Sequence, residues 1–280
     1  VDSRTKAIYL ENLGNPAFNI PDYEPIVEMA RRKGICVMVD NTFGMGGYLF
    51  RPFEWGANVS IHSATKWICG HGTALGGVVV DGGNFDWTAE TYPLLAAPSE
   101  SYHGLVYKDV FGPAAFAGRV RVDGLRNIGP AASPFNSFLM LQGLETLSLR
   151  AERCCANTLA VAEFLEKHPA VESVNYPGLK SNPYHELGCK YLKNGFGGVL
   201  TFRVKGGFEA AAALVTRLEL ILHVGSVGDA KSLIVHPAST THSQLSPAEQ
   251  VAAGVYPNML RLSVGIENVD DLIADLAAAL

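Results

Sequence analysis

The chain has 280 residues, 48% of them hydrophobic and 18% charged, and its formal net charge is -5. That is enough for one large domain or two ordinary ones with a sizeable buried core. Both signs of charge are spread along the chain, and no basic block or aromatic-basic stripe points to nucleic acid or to an anionic membrane surface. No apolar run approaches the roughly 20 residues that span a bilayer, and no signal-peptide pattern opens the chain.

Val1 leads almost directly into a strand-like run, Ala7-Ile8-Tyr9-Leu10, with no start methionine. The expectation is a processed or truncated chain that lacks a preceding segment. Asp22 is placed to cap a helix with the apolar stripe Tyr23, Ile26, Val27 and Ala30, and Gly34 ends it. The runs Ile35–Val39, Val59–His62 and Gly77–Val80 are short, apolar and β-branched. They read as strands buried on both faces of a mainly parallel sheet. Strands alternating with a helix place residues 1–81 in an α/β domain, where ligands gather at the carboxyl ends of strands.

Residues 82–132 are rich in Gly, Pro, Ser and aromatics and predict an irregular excursion with short helices. Its stretch Pro98-Ser99-Glu100-Ser101-Tyr102-His103 is polar enough to line a site. From Ser133 to Lys167 the period turns helical, giving one long connecting helix or two abutting ones. A smaller α+β domain is expected beyond it, with strands at Val171–Tyr176, Gly198–Val204, Leu218–Val224 and Leu260–Val264. Helices are expected at Phe208–Arg217 and Val269–Leu280. The expected division is 1–150 for the large domain and 151–280 for the small one.

The stretch His62-Ser63-Ala64-Thr65-Lys66 carries the most chemistry. Two hydroxyls precede a lysine at a strand end, and Asp40 ends a neighbouring strand. A lysine for an aldehyde, an acid for a ring nitrogen and hydroxyls for a phosphate are the groups that pyridoxal phosphate (PLP) needs. A lone lysine after a strand is ordinarily a solvated charge, and Asp40 alone reads as a turn cap. It is their combination that favours the cofactor. Ser63 and Thr65 either satisfy local backbone groups or, if the chain stays extended, face one phosphate from positions i and i+2. Arg261, inside the alternating run Met259–Val264, either faces water or clamps a substrate carboxylate. The flanking residues leave that open.

Other motifs carry less. Gly70-His71-Gly72-Thr73-Ala74-Leu75-Gly76 departs by one residue from a dinucleotide loop and precedes a strand. His185-Glu186 lacks the second histidine of a zinc-protease helix. His236 and His242 have no third ligand at metal spacing, so no metal site is expected. Five cysteines, an odd number without C-x-x-C, argue against a disulfide framework and for a reducing, cytoplasmic setting.

Taken together, Gly14-Asn15-Pro16, Val39-Asp40-Asn41-Thr42-Phe43, His62–Lys66 and Arg261-Leu262-Ser263-Val264-Gly265 resemble the Cys/Met-metabolism family of PLP enzymes. The likeness runs through essentially the whole chain. It is greatest to the branch that works on O-acetylhomoserine with sulfide, in stretches such as Asp109–Phe116, Ser133–Phe138 and Val227–His242. The resemblance implies the aspartate-aminotransferase-like type I fold and a homo-oligomer, a dimer or tetramer. It assigns Lys66 to the cofactor's aldehyde, Asp40 to the ring nitrogen, Ser63 and Thr65 to phosphate and Asn15 to the ring hydroxyl. It further assigns Arg261 to the substrate carboxylate, with Ser226 nearby. The implied reaction is γ-replacement on O-acetylhomoserine by sulfide or a small thiol, giving homocysteine or a thioether and acetate in methionine metabolism. The alternatives are another nucleophile in secondary metabolism, or an inactive fragment or binding subunit. Two departures stand out. Ser226 sits where that branch is expected to carry asparagine, and nothing here matches the family's glycine-rich phosphate loop or ring-stacking tyrosine.

Overall fold

A computed structural model describes residues 1–2 and 4–280. Its architecture is α/β, built on two sheets. The first has the order β1-β2-β3-β4, from Ala7–Glu11, Cys36–Asp40, Val59–Ser63 and Gly77–Asp81. The first three strands run parallel, and β4 returns antiparallel along β3, with Ser63 opposite Gly77. Parallel pairing puts the carboxyl ends of β2 and β3 side by side, so Asp40 and Ser63 end neighbouring strands.

Both faces of this sheet are covered in its centre. The helix Tyr23–Lys33 lays Tyr23, Val27 and Ala30 against Val37 and Val39. It ends at Gly34, whose φ of 61° is the left-handed turn that glycine takes without strain. Asp22 holds the N-cap position but makes no capping bond. Its carboxylate accepts instead from Lys190 Nζ at 3.2 Å and from the Tyr191 hydroxyl. On the other face Trp87, Leu95 and Ala115, from the irregular stretch with short helices, pack on Cys36 and Val59.

One expectation for this sheet is corrected. β4 is not buried on both faces: Val78, Val79 and Val80 are 40%, 46% and 38% exposed. It is an edge strand, and among the described residues little packs over its valines.

Two abutting helices, Pro134–Glu145 and Leu147–Lys167, lead into the second sheet, and position 150 lies in the first turn of the latter. The second sheet has the order β5-β6-β9-β8-β7, from Val171–Asn175, Val199–Val204, Met259–Ser263, Leu233–Val235 and Leu222–His223. Leu218–Ile221 is not strand as expected. The amides of Glu219, Leu220 and Ile221 all donate to the Asp275 carboxylate, at 2.8–3.1 Å, and so leave the ladder. β8 is an unexpected strand, three fully buried residues too short to show a period.

One apolar core joins the halves. Tyr23, Phe43 and Trp67 of the first pack with Cys155, Val199 and Val227 of the second. A second core lies between β6, β9 and the helices Gly207–Leu214, Leu147–Lys167 and Val269–Ala279.

Candidate active site

Lys66 lies in the turn that follows β3. Its Nζ donates to Ser226 Oγ at 3.0 Å, across 160 residues of chain. The segment carrying Ser226 is pinned to the lysine turn. Ala230 N donates to Gly70 O at 2.8 Å, and Gly228 N to Ser263 Oγ at 3.0 Å. Gly228 has φ 75°, and a Cβ there would stand 2.8 Å from the Trp67 nitrogen, so glycine is required for this approach. Burial lowers the Lys66 pKa from its ordinary value, and the positive charge of Arg261 lowers it further. The lysine is thereby biased towards the neutral amine that nucleophilic chemistry requires.

Arg261 sits on β9 between Thr201 of β6 and Val235 of β8 and is 8% exposed. Its Nη1 donates to Asn15 Oδ1 at 3.3 Å, bridging the two halves of the chain. Among the described residues no carboxylate pairs with it. Asn15 is fixed in turn by its own amide, which donates to Glu11 Oε2 at 3.0 Å. Burial raises the Glu11 pKa and the neighbouring Asp40 charge adds to this, while the Asn15 amide opposes both.

Asp40 is held by two donors: Thr42 N reaches Oδ1 at 2.9 Å and the Tyr9 hydroxyl reaches Oδ2 at 3.2 Å. Thr42 Oγ1 also accepts the Ser63 amide at 2.8 Å, tying the ends of β2 and β3 together. Ser63 Oγ makes no hydrogen bond among the described residues. Thr65 differs. Its hydroxyl donates to Gly76 O at 3.2 Å and accepts from Gly76 N at 3.1 Å, because the chain has already left the extended state. The even spacing with Ser63 therefore does not place both hydroxyls on one face.

A cavity of about 580 Å³ lies beside the lysine. Thr65, Lys66 and Ser226 line it with Thr73, Asn136 and Lys231. Asp40, Ser63, Asn15 and Arg261 stand outside its lining, and so does all of Pro98–His103. A larger apolar cavity of about 730 Å³ against Met38, Trp87 and Phe116 contains none of the expected site residues. No group of three or more metal-ligating side chains occurs among the described residues. His236 is spent locally, on Ser239 Oγ at 2.9 Å and Pro257 O at 2.7 Å. Sequence reasoning missed Tyr9, Thr42 and Glu11. Strand alternation was the available signal, since it puts Tyr9 and Glu11 on the face of Asp40.

A model of the Cys/Met metabolism PLP-dependent enzyme family matches residues 1–280. The chain belongs to this family. Similar relatives are O-acetyl-L-homoserine sulfhydrylase 1 of Thermus thermophilus, 55% identical, and homocysteine synthase of Schizosaccharomyces pombe, 52% identical. All of this chain is covered in both, and 66% of each relative. A solved structure from Campylobacter jejuni, described as a candidate O-acetylhomoserine (thiol)-lyase, superposes with a TM-score of 0.95 at 42% identity. It covers all of this chain and 66% of its own, and it holds N'-pyridoxyl-lysine-5'-monophosphate. The chain thus spans about two thirds of the length of these PLP-family relatives. No helix among its described residues is long and apolar enough to cross a membrane.

The residues present fit part of PLP. An amine with a lowered pKa, a carboxylate at the adjoining strand end and a free serine hydroxyl suit its aldehyde, ring nitrogen and phosphate in turn. The phosphate is the least provided for, since Thr65 already spends its proton on Gly76.

Proposed function

We propose that the chain carries the lysine-bearing part of a PLP site for γ-replacement on O-acetylhomoserine. Sulfide is the nucleophile and gives homocysteine and acetate, and a small thiol in its place gives the corresponding thioether and acetate. The observation that carries this reading is the buried Arg261 guanidinium, unpaired by any described carboxylate and close enough to Lys66 to lower its pKa. Such a group is a receptor for an anionic substrate beside an amine that handles protons. The names of the relatives support the choice of substrate.

In this reading Arg261 holds the substrate's carboxylate with its planar fork, and Asn15 fixes the fork from the other side. Lys66 Nζ takes the proton from the α-carbon and returns one further along the chain. Ser226 Oγ keeps that nitrogen in place between transfers. Asp40 holds the proton on the ring nitrogen. When bound, PLP supplies the electron sink for charge formed at the α-carbon. Ser63, and Thr65 if it releases Gly76, serve the phosphate.

We place the protein in a homo-oligomer in the cytoplasm. Phe135, Phe138, Leu141 and Leu144 lie exposed along one helix and favour self-association. The five thiols are unpaired, which fits a reducing compartment. The two-part division near residue 150 is part of the same proposal. The test supplies PLP and O-acetylhomoserine with sulfide, cysteine or a carbon nucleophile in competition. Homocysteine and acetate in equal amounts are expected. Product only with another nucleophile would move the enzyme to secondary metabolism. No product with any would favour a binding subunit or inactive fragment.

A further inference from the structure

Tyr9 lies on β1, two residues before Glu11. Parallel register sets Tyr9 beside Met38 and Glu11 beside Asp40, so Tyr9, Glu11 and Asp40 share one face of the sheet. Two carboxylates thus stand side by side on adjacent strands, and the plane of the Asp40 carboxylate is fixed only by the donors it meets. It has two: the Thr42 amide on Oδ1 at 2.9 Å and the Tyr9 hydroxyl on Oδ2 at 3.2 Å. The first is backbone and belongs to any residue at position 42. The second exists only because position 9 is tyrosine.

We infer that Tyr9 is a positioning residue that orients the Asp40 carboxylate towards the cofactor's ring nitrogen. This rests on the reading of Asp40 as that nitrogen's partner. With both oxygens anchored, the carboxylate plane cannot rotate about its own bond. One lone pair is then presented in a fixed direction, the kind of pre-organisation on which a single buried proton depends. The phenol is the donor in this bond because a carboxylate has no proton to give, and although Tyr9 is 55% exposed, partial desolvation and the Asp40 charge both raise its pKa. Phenylalanine would fill the same space and lose only the hydrogen bond.

The test compares PLP with its 1-deaza analogue, which has carbon in place of the ring nitrogen. Both are titrated into the full chain and its Tyr9→Phe and Asp40→Asn variants. Tyr9→Phe is expected to weaken PLP about three- to tenfold, the range for an ordinary hydrogen bond, because Tyr9 is 55% exposed and water screens the charge. The analogue should be unaffected. Equal loss for both ligands would make Tyr9 mere packing and overturn the inference, as would no loss at all. Asp40→Asn separates the two claims. If it leaves the preference for PLP over the analogue intact, the assignment of Asp40 itself has failed. A second measurement needs no cofactor. Ionisation of Tyr9 is read near 295 nm as the difference between parent and Tyr9→Phe. Asp40→Asn should bring it down towards 10. An ionisation that does not move would show that the two side chains are not coupled.

Discussion

Replacing Arg261 with methionine tests the site and its energetic cost together. The guanidinium is 8% exposed, its one hydrogen bond among the described residues is the 3.3 Å contact with Asn15, and no described carboxylate offsets its charge. An ion held this way costs several kcal/mol of desolvation, and apolar replacement of buried ion pairs, which sets the scale here, gains about 1–4 kcal/mol. The lost bond to Asn15 subtracts about 1 kcal/mol, leaving a net gain of about 0–3 kcal/mol. For a chain of 280 residues that is a rise of up to roughly 5 °C in melting temperature by calorimetry. The same substitution removes the charge that helps to lower the Lys66 pKa. Acetylation of Lys66, followed by peptide mass spectrometry, should therefore set in at higher pH than in the parent. Binding of an amino-acid carboxylate should be lost. A lower melting temperature would refute the reasoning, because it would mean that the guanidinium is compensated where it sits.

Lys66→Met should also stabilise the chain at neutral pH. The folded pKa lies below the ordinary lysine value of 10.5, so the folding penalty is full below the folded pKa and vanishes as pH rises to 10.5. A gap in urea stability between parent and variant that widens with pH would contradict this. Lys66→Ala should abolish the pyridoxyl adduct trapped by borohydride, and an adduct on another lysine would reassign the site. Asp40→Asn should cost roughly two orders of magnitude in γ-replacement rate, about 3 kcal/mol of barrier, while near-normal turnover would reduce Asp40 to a turn cap. With Ser63 as the one free hydroxyl of the two proposed for the phosphate, the 280-residue chain should bind PLP weakly in an absorbance titration. Tight stoichiometric binding would reveal a phosphate cup elsewhere in these residues.

Much of the frame was legible because β-branched runs and helical periods are local. β1, β2, β3, β6 and β9 fall within a residue or two of their expected places, and Lys66 and Asp40 stand at strand ends as expected. What escaped is non-local. Asp275 lies more than fifty residues beyond the amides of Glu219–Ile221 whose pairing it prevents. Asp22 looked like a cap until Lys190 and Tyr191, far along the chain, took its carboxylate. Spacing alone leaves Thr65 free to satisfy local backbone groups or to face a phosphate, and Gly76, eleven residues away, takes its hydroxyl. The valines of β4 look like core by composition, and composition does not distinguish a central strand from an edge.

The two cations explain why this site is built from both halves of the chain. A lysine and an arginine that share a buried region repel each other, and no local segment would fold around such a pair unaided. Here each is anchored by the other half. Lys66 of the first half binds Ser226 of the second, and Arg261 of the second binds Asn15 of the first. The apolar core through Trp67, Leu147 and Val227 holds these anchors in register and offsets the repulsion. The repulsion itself biases Lys66 towards the neutral amine. It follows that substitutions loosening this core, such as Val227→Ala, should raise the Lys66 pKa by admitting water before they unfold the chain. The pH profile of Lys66 acetylation, set beside the melting temperature of the same variant, measures both. A variant that loses stability with an unchanged profile would mean that the lysine's environment is set locally by its turn and not by the joint between the halves.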